Sequence, residues 1–187
     1  MVIGLLLAAG ESKRTRPLMK QLYPVCGTTL VDFVVKKIFA GGAKKVRVVL
    51  GCEGEAVRRS IREDVDIVIN SNYVEGMLSS IKCGLVEEDA YLIFPVDYPL
   101  VRPDTIKRII DSDRDDEVIV PVIAGNRGHP VLMPESMFAE LKRFEGVSLR
   151  DFIHSKRIRE VSVEDEGIVM NFNTPEQLQK LNKLICD

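Results

Sequence analysis

Five short apolar runs set the limits on what this chain can become: Val2–Ala8, Val46–Leu50, Ile67–Ile69, Tyr91–Val96 and Val118–Ile123. They have strand length and little polar alternation, as strands covered on both faces do. Between them the apolar residues change to three- and four-residue steps. Leu30, Phe33, Val34 and Ile38 recur in this way until Gly41-Gly42 ends the pattern, which predicts a helix from about Leu30 to Phe39. Ala56–Ile61 and Pro103–Ile110 read alike, the latter through its stripe of Ile106, Ile109 and Ile110. Strands alternating with crossover helices describe an α/β fold with a mostly parallel sheet.

Thr174-Pro175-Glu176-Gln177 offers a hydroxyl cap, a proline in the first turn and a side chain that can reach back, so the last helix is expected to start at Thr174. Strands near Val131 and Ile168 are expected to complete the sheet. No block repeats, and the polar stretch Asp111–Glu117 is too short for an interdomain linker, so residues 1–187 are read as one domain. With 26 Lys+Arg against 28 Asp+Glu the net charge is −2, leaving no bulk field to attract nucleic acid. The apolar stretch Val2–Ala9 is far too short to cross a bilayer and lacks basic residues before it or a cleavage pattern after it, so no membrane or export role is expected. Cys26, Cys52, Cys83 and Cys186 are scattered, which suits neither a zinc site nor a dense disulfide framework and points to a reducing cytoplasm. His129 and His154 lie far from every cysteine in sequence, which argues against a Cys/His metal cage.

The first run ends in Leu7-Ala8-Ala9-Gly10, and Glu11-Ser12-Lys13-Arg14 and then Lys20 follow. Open α/β sheets bind ligands beyond the carboxyl ends of their strands. Small residues there let backbone N–H groups approach phosphate oxygens, while Arg14 and Lys20 can add a planar fork and a mobile point charge. A triphosphate suits this loop, although Gly10 has neither P-loop nor dinucleotide-fingerprint context, and by itself the stretch is also readable as a small-residue turn with solvated charges.

Asp97, in Pro95-Val96-Asp97-Tyr98-Pro99, should emerge at the same sheet edge, where it can hold Mg2+ or simply serve as a turn carboxylate. The segment from Asn70 to Ile81 leaves a strand, passes Gly76 and opens a helix bearing Ser79 and Ser80. Its free N–H groups and hydroxyls can fix a base or ribose, or the segment is an ordinary capped helix with Ile81 and Leu85 in the core. Gly128-His129-Pro130 offers His129 to a second substrate, although a lone histidine is more often a structural partner.

In this order, the pieces resemble the MobA-like nucleotidyltransferases, most closely the molybdenum cofactor cytidylyltransferases that serve xanthine-dehydrogenase-type molybdoenzymes. The family pattern L-A-A-G-x-S-x-R, a downstream lysine, N-x-x-Y-x-x-G-M-x-S-S-I, P-V-D-x-P-L-V, G-H-P and D-x-[DN]-T-P-E is matched over nearly the whole chain. The matching stretches are Leu7 to Arg14, Lys20, Asn70 to Ile81, Pro95 to Val101, Gly128 to Pro130 and Asn171 to Glu176. The resemblance implies a single-domain Rossmann-like sheet of the nucleotide-diphospho-sugar transferase type. It further implies a nucleoside triphosphate against Leu7, Ala8, Ala9, Gly10, Ser12, Gly76, Ser79 and Ser80, with Mg2+ on Asp97. L-A-A-G resembles the CTP users of this superfamily, so CTP is the expected nucleotide.

The implied reaction is in-line attack by the phosphate of molybdopterin, or another phosphomonoester, on the α-phosphorus of CTP, with Arg14, Lys20 and Asp97 catalytic and pyrophosphate released. A transferase acting on a sugar-1-phosphate or phosphocholine, and a non-catalytic nucleotide-binding escort module, are the rivals. Three departures from the family pattern stand out. Thr15-Arg16 replaces Met-Gly, and Asn171 stands where an aspartate supplies a second metal contact, with Asn173 at the other variable position. Gly146-Val147-Ser148-Leu149-Arg150 loses an acidic residue near the second substrate but keeps Arg150.

Overall fold

The computed structural model describes residues 1–85, 89–114 and 116–186; Asp115 of the polar stretch lies outside them. Ten strands are described: β1 Val2–Ala8, β2 Pro24–Val25, β3 Thr28–Thr29, β4 Lys45–Leu50, β5 Asp66–Ile69, β6 Ala90–Pro95, β7 Val118–Ile123, β8 Asn126–Arg127, β9 Val131–Met133 and β10 Ile158–Ser162. Seven helices accompany them: α1 Leu30–Ala40, α2 Gly54–Ser60, α3 Met77–Gly84, α4 Pro103–Ile110, α5 Phe138–Arg143, α6 Leu149–His154 and α7 Pro175–Cys186. The main sheet runs β10-β7-β9-β6-β1-β4-β5, with β8 paired to β7, and β2-β3 forms a separate hairpin. β1 lies parallel to both β4 and β6, and β5 and β10 also pair in parallel. Only β8 and β9 run against their neighbours, so the sheet is mixed but mostly parallel, as expected.

Alternation along the strands builds two cores. Leu6 and Ala8 of β1, with Leu92 and Phe94 of β6, pack under α1, α2, α4 and α7. Ile3, Leu5 and Leu7, with Tyr91 and Ile93, pack under α3, α5 and α6. The inner residues of β1 and β6 therefore meet a helix on one side or the other, which is why these stretches are continuous apolar runs rather than polar alternations. Gly4 is the one gap in the β1 run, because a Cβ there would stand 2.4 Å from Cγ2 of Ile38 on α1.

The expected strand near Ile168 does not form. Asp165 accepts a hydrogen bond from the Gly167 amide at 3.0 Å and turns the chain into a short 3-10 segment, Glu166–Ile168, whose buried end resembles a strand in sequence. The missing strand is β10, where only Val161 is buried, so its mostly polar residues carry little strand signal. Cys26 is disulfide-bonded, while Cys52 and Cys83 are free thiols. One bridge is not a dense framework, but it removes the cysteines as an argument for a reducing compartment.

Asp32 anchors α1 to its surroundings. Its fully buried carboxylate accepts hydrogen bonds from the Thr28 hydroxyl at 2.6 Å and the Arg62 amide at 2.8 Å, and Lys36 pairs with it at 3.0 Å. Burial alone would raise the Asp32 pKa, but these partners outweigh it and hold the group below its ordinary value. Asp32→Ala strands two donors and is expected to cost about 2 kcal/mol, a fall of roughly 4–8 °C in Tm. A depressed folded pKa stabilises above the unfolded value and is lost as pH falls through the folded one. Thermal melts should therefore show a full deficit at neutral pH that shrinks in acid; a deficit unchanged down to about pH 2 would reject the carboxylate's role.

Candidate functional site

Because β1, β4, β5 and β6 run in parallel, their carboxyl ends open onto one edge. The ladder continues just past the strand ends: Val96 donates to the Leu7 carbonyl at 3.1 Å and Cys52 to the Ala9 carbonyl at 3.3 Å. Gly51 allows this closeness, since a Cβ there would meet the Ala9 carbonyl at 2.7 Å and Cβ of Tyr73 at 2.8 Å.

The loop after β1 is braced from below by Gln21, which is almost fully buried. Its amide nitrogen donates to the carbonyls of Ala8 at 2.9 Å and Gly10 at 2.8 Å, and its oxygen accepts from the Ser12 hydroxyl at 2.8 Å. Ser12 in turn accepts from the Lys20 amide at 2.9 Å. The departure at Thr15 is also a brace, its amide donating to the Ser12 carbonyl at 2.9 Å and its hydroxyl lying 2.9 Å from the Leu18 carbonyl. With its carbonyls facing inward, the loop leaves Gly10 open, and a Cβ there would meet nothing within 4 Å.

The segment after β5 forms the second wall. Buried Asn70 donates to the hydroxyls of Ser79 at 2.9 Å and Ser80 at 3.0 Å and accepts from the Asn72 amide at 2.9 Å. Gly76 precedes α3 at φ 104°, a conformation that favours glycine. The third wall follows β6. Asn173 donates to Oδ2 of Asp97 at 2.9 Å and accepts from Nζ of Lys20 at 2.7 Å, while Lys20 stands 3.7 Å from the same Asp97 oxygen. Burial pushes the Lys20 ammonium below its ordinary pKa, Asp97 opposes this, and nearby Arg14 adds to the lowering.

These walls enclose a cavity of about 340 Å³ lined by Leu7, Ala9, Gly10, Ser12, Lys20, Gly76, Ser80 and Asp97 among the expected residues, and by Glu11, Gln21, Tyr73, Val74 and Met77. Three expected residues are differently disposed. Ala8 lies beneath with its carbonyl committed to Gln21, the Ser79 hydroxyl is engaged within its own turn, and Arg14 is exposed outside the lining. Asn171 is also exposed and hydrogen-bonds the Tyr98 hydroxyl, so Asn173 is the amide brought to Asp97. The register is set by α7: Gln177 accepts from the amides of Asn173 at 2.8 Å and Thr174 at 3.0 Å, and its own amide donates to the Thr174 hydroxyl at 3.3 Å.

Asp97 and Asn173 present hard oxygen donors, and the ammonium beside them marks a place where a cation is favoured. No group of three or more His, Cys, Asp or Glu suited to a metal occurs among the described residues. Two protein donors fit a Mg2+-type ion that takes its remaining ligands from water and phosphate.

A second cavity of about 480 Å³ shares Met77 with the first. Leu78, Val120, Val131, Leu149 and Ile153 supply apolar lining, and Arg127, His129, Arg150 and His154 bring polar groups. The His129 amide donates to the Ile168 carbonyl at 2.9 Å, and its ring lies 4.6 Å from that of Tyr98. Nδ1 of His129 is buried without a hydrogen-bond partner in the described structure. Burial lowers the pKa of His129, with Asp97 opposing and Arg150 reinforcing the shift, which favours the neutral ring. Arg150 sits in the first turn of α6, where Ser148 and Asp151 form a capping box.

The MobA-like NTP transferase domain family matches residues 4–161. Over 96% of both chains the sequence is 29% identical to nicotine blue oxidoreductase of Paenarthrobacter nicotinovorans. It is 24% identical to the molybdenum cofactor cytidylyltransferase of Escherichia coli, over 92% of this chain and 91% of that one. A 34% match to the bifunctional protein GlmU of Thermotoga petrophila covers 65% of this chain but only 28% of that longer protein. Among solved structures, the manganese complex of Rv0371C from Mycobacterium tuberculosis superposes with a TM-score of 0.78 at 26% identity, covering 97% of this chain and 98% of that one.

The contacts separate the two asparagines experimentally. With triphosphate present, Asn173→Ala is expected to weaken divalent-metal binding roughly tenfold, equivalent to ~1.4 kcal/mol, whereas Asn171→Ala should leave it nearly unchanged. Manganese titration measures both; equal effects would return Asn171 to the site.

Proposed function

Because the chain belongs to the MobA-like NTP transferase domain family, we propose that it transfers CMP from CTP to the phosphate of molybdopterin and releases pyrophosphate. One observation carries this reading: the open Gly10 loop, the Lys20 ammonium and the Asp97 carboxylate share a cavity that adjoins a second, larger one. Two anionic reactants held side by side need charge compensation and alignment more than a covalent enzyme group.

In this reading the Gly10 loop and the start of α3 receive the triphosphate. Lys20 neutralises its oxygens from within the cavity, and Arg14, exposed outside the lining, must swing in to add its charge, while Gly76 and Ser80 lie toward the nucleoside, where L-A-A-G favours CTP. Asp97 and Asn173 hold a divalent cation, which when bound supplies charge neutralisation at the phosphate oxygens. An oxygen of the acceptor phosphate forms a bond to the α-phosphorus, the bond from that phosphorus to pyrophosphate breaks, and the charge moves onto the departing pyrophosphate.

The second cavity supports the acceptor assignment. Arg150 can fork onto a phosphate. The apolar lining suits a flat ring better than a polyol such as a sugar. Phosphocholine fits less well, because its quaternary ammonium would enter beside Arg127 and Arg150. A xanthine-dehydrogenase-type recipient and a cytoplasmic setting belong to the same proposal. No helix among the described residues is long and apolar enough to cross a membrane.

A second reading is an oxidoreductase, favoured by the 29% identity over 96% of both chains to nicotine blue oxidoreductase. The deciding assay offers CTP, GTP and ATP, each with molybdopterin, a sugar-1-phosphate and phosphocholine, and follows pyrophosphate. CTP with molybdopterin is the expected productive pair. Nucleotide binding without pyrophosphate would favour the escort module, and turnover of nicotine blue without pyrophosphate would favour the oxidoreductase. Lys20→Ala and Asp97→Ala should each slow pyrophosphate release about a hundredfold or more in folded protein, since each removes a preorganised charge. Near-normal rates in either variant would reject the assigned role.

A further inference from the structure

Lys20, Asn173 and Asp97 form a closed triangle. Asn173 spends its oxygen on the Lys20 ammonium at 2.7 Å and its nitrogen on Oδ2 of Asp97 at 2.9 Å, and the two charged groups stand 3.7 Å apart. The side chains of Lys20 and Asp97 are only 15% and 18% exposed, so either charge left alone would be costly.

Oδ2 of Asp97 and the amide oxygen of Asn173 are therefore already committed to protein partners, and Oδ1 of Asp97, held on the same carboxylate, lies beside the same ammonium-bearing side chain. A divalent ion arriving alone would have to turn the Asn173 amide and expel an ammonium that repels it. The expelled Lys20 would need another anion, and the one other acid lining the cavity, Glu11, is paired with Lys13 at 2.8 Å. A polyphosphate changes this balance by supplying anionic oxygens to Lys20.

We propose that Lys20 is the resident cation of this site, tied to Asp97 through Asn173, and yields the carboxylate to a divalent metal only when a polyphosphate takes up the ammonium. The inference rests on the assignment of Asp97 as metal ligand. It makes metal and nucleotide binding cooperative, and the coupling acts equally in both directions. Asn173 is then a positioning residue in the ligand-free protein and a metal ligand in the loaded one.

The test is titration of the protein with Mn2+ alone, read by the electron paramagnetic resonance of the free ion. Lys20→Met, which keeps much of the apolar stem and removes the charge, should bind Mn2+ about fivefold more tightly than the parent or better, and Lys20→Gln should do the same if the methionine variant fails to fold. Arg14→Met, which removes a nearby cation outside the triangle, should change affinity less than about twofold. The Lys20→Met gain should vanish when Asp97→Ala is added. No gain in Lys20→Met, an equal gain in Arg14→Met, or a gain that survives Asp97→Ala would each overturn the proposal. If Asp97→Ala leaves binding of the Mn2+–CTP complex unchanged, the assignment of Asp97 falls too. If Asp97→Ala weakens that complex but Lys20→Met gains nothing, only the resident-cation proposal falls.

Discussion

The whole arrangement depends on β1 being paired along both edges and covered on both faces. Leu5 has Arg47 beside it on one edge and Ile93 on the other, while Leu5 and Leu6 face opposite cores. A strand this apolar has no face to offer water, so the chain must supply a parallel neighbour and a helical layer on each side. Once it does, the carboxyl ends of β1, β4, β5 and β6 meet at one rim, and residues distant in sequence become neighbours. The contact from Lys20 to Asn173 spans 153 positions.

At that rim, polar side chains do for the loops what the ladder does for the strands. Gln21 satisfies the Ala8 and Gly10 carbonyls from below, Asn70 ties two hydroxyls of α3 to its own loop, and Gln177 fixes the residue that touches Asp97. Buried amides suit this work because each supplies donors and an acceptor without a charge. In the proposed reading the charged residues are thereby left for ligands. Beside the second cavity a buried carboxylate does the bracing instead: Asp165 holds the Gly167 amide, and the turn's Ile168 carbonyl receives the His129 amide.

Much of this was legible in the residues. The β1 and β7 boundaries coincide with the apolar runs, and α4 coincides with its isoleucine stripe. Thr174 and Gln177 form the expected reciprocal cap. Asp97 reaches Lys20 because both leave parallel strands at one edge, which strand order alone implies. The misses have a common cause. β10 is polar because it has little to bury, Ile168 is apolar because a turn buries it, and Gln21 is an unremarkable polar residue until its two carbonyl partners are known. Asn171 and Asn173 occupy parallel places in the motif, and only the α7 cap, acting through the Asn173 amide, decides which one faces Asp97. Periodicity reports burial; it does not report which hydrogen bond turns a chain.

The three departures from the family pattern fall differently in the structure. Thr15 closes the first loop, Asn171 is exposed and hydrogen-bonds the Tyr98 hydroxyl, and Val147 is exposed beside Ser148, which caps α6. Electrostatically, the pattern's acids at Asn171 and Val147 are missing while Lys20, Arg14 and Arg150 remain. Fewer acids lower the repulsion felt by two phosphate-bearing reactants but also weaken the grip on a divalent ion. In the proposed reading, a site so balanced obtains its missing metal ligands from the phosphates themselves, which would tie metal retention to the presence of the nucleotide.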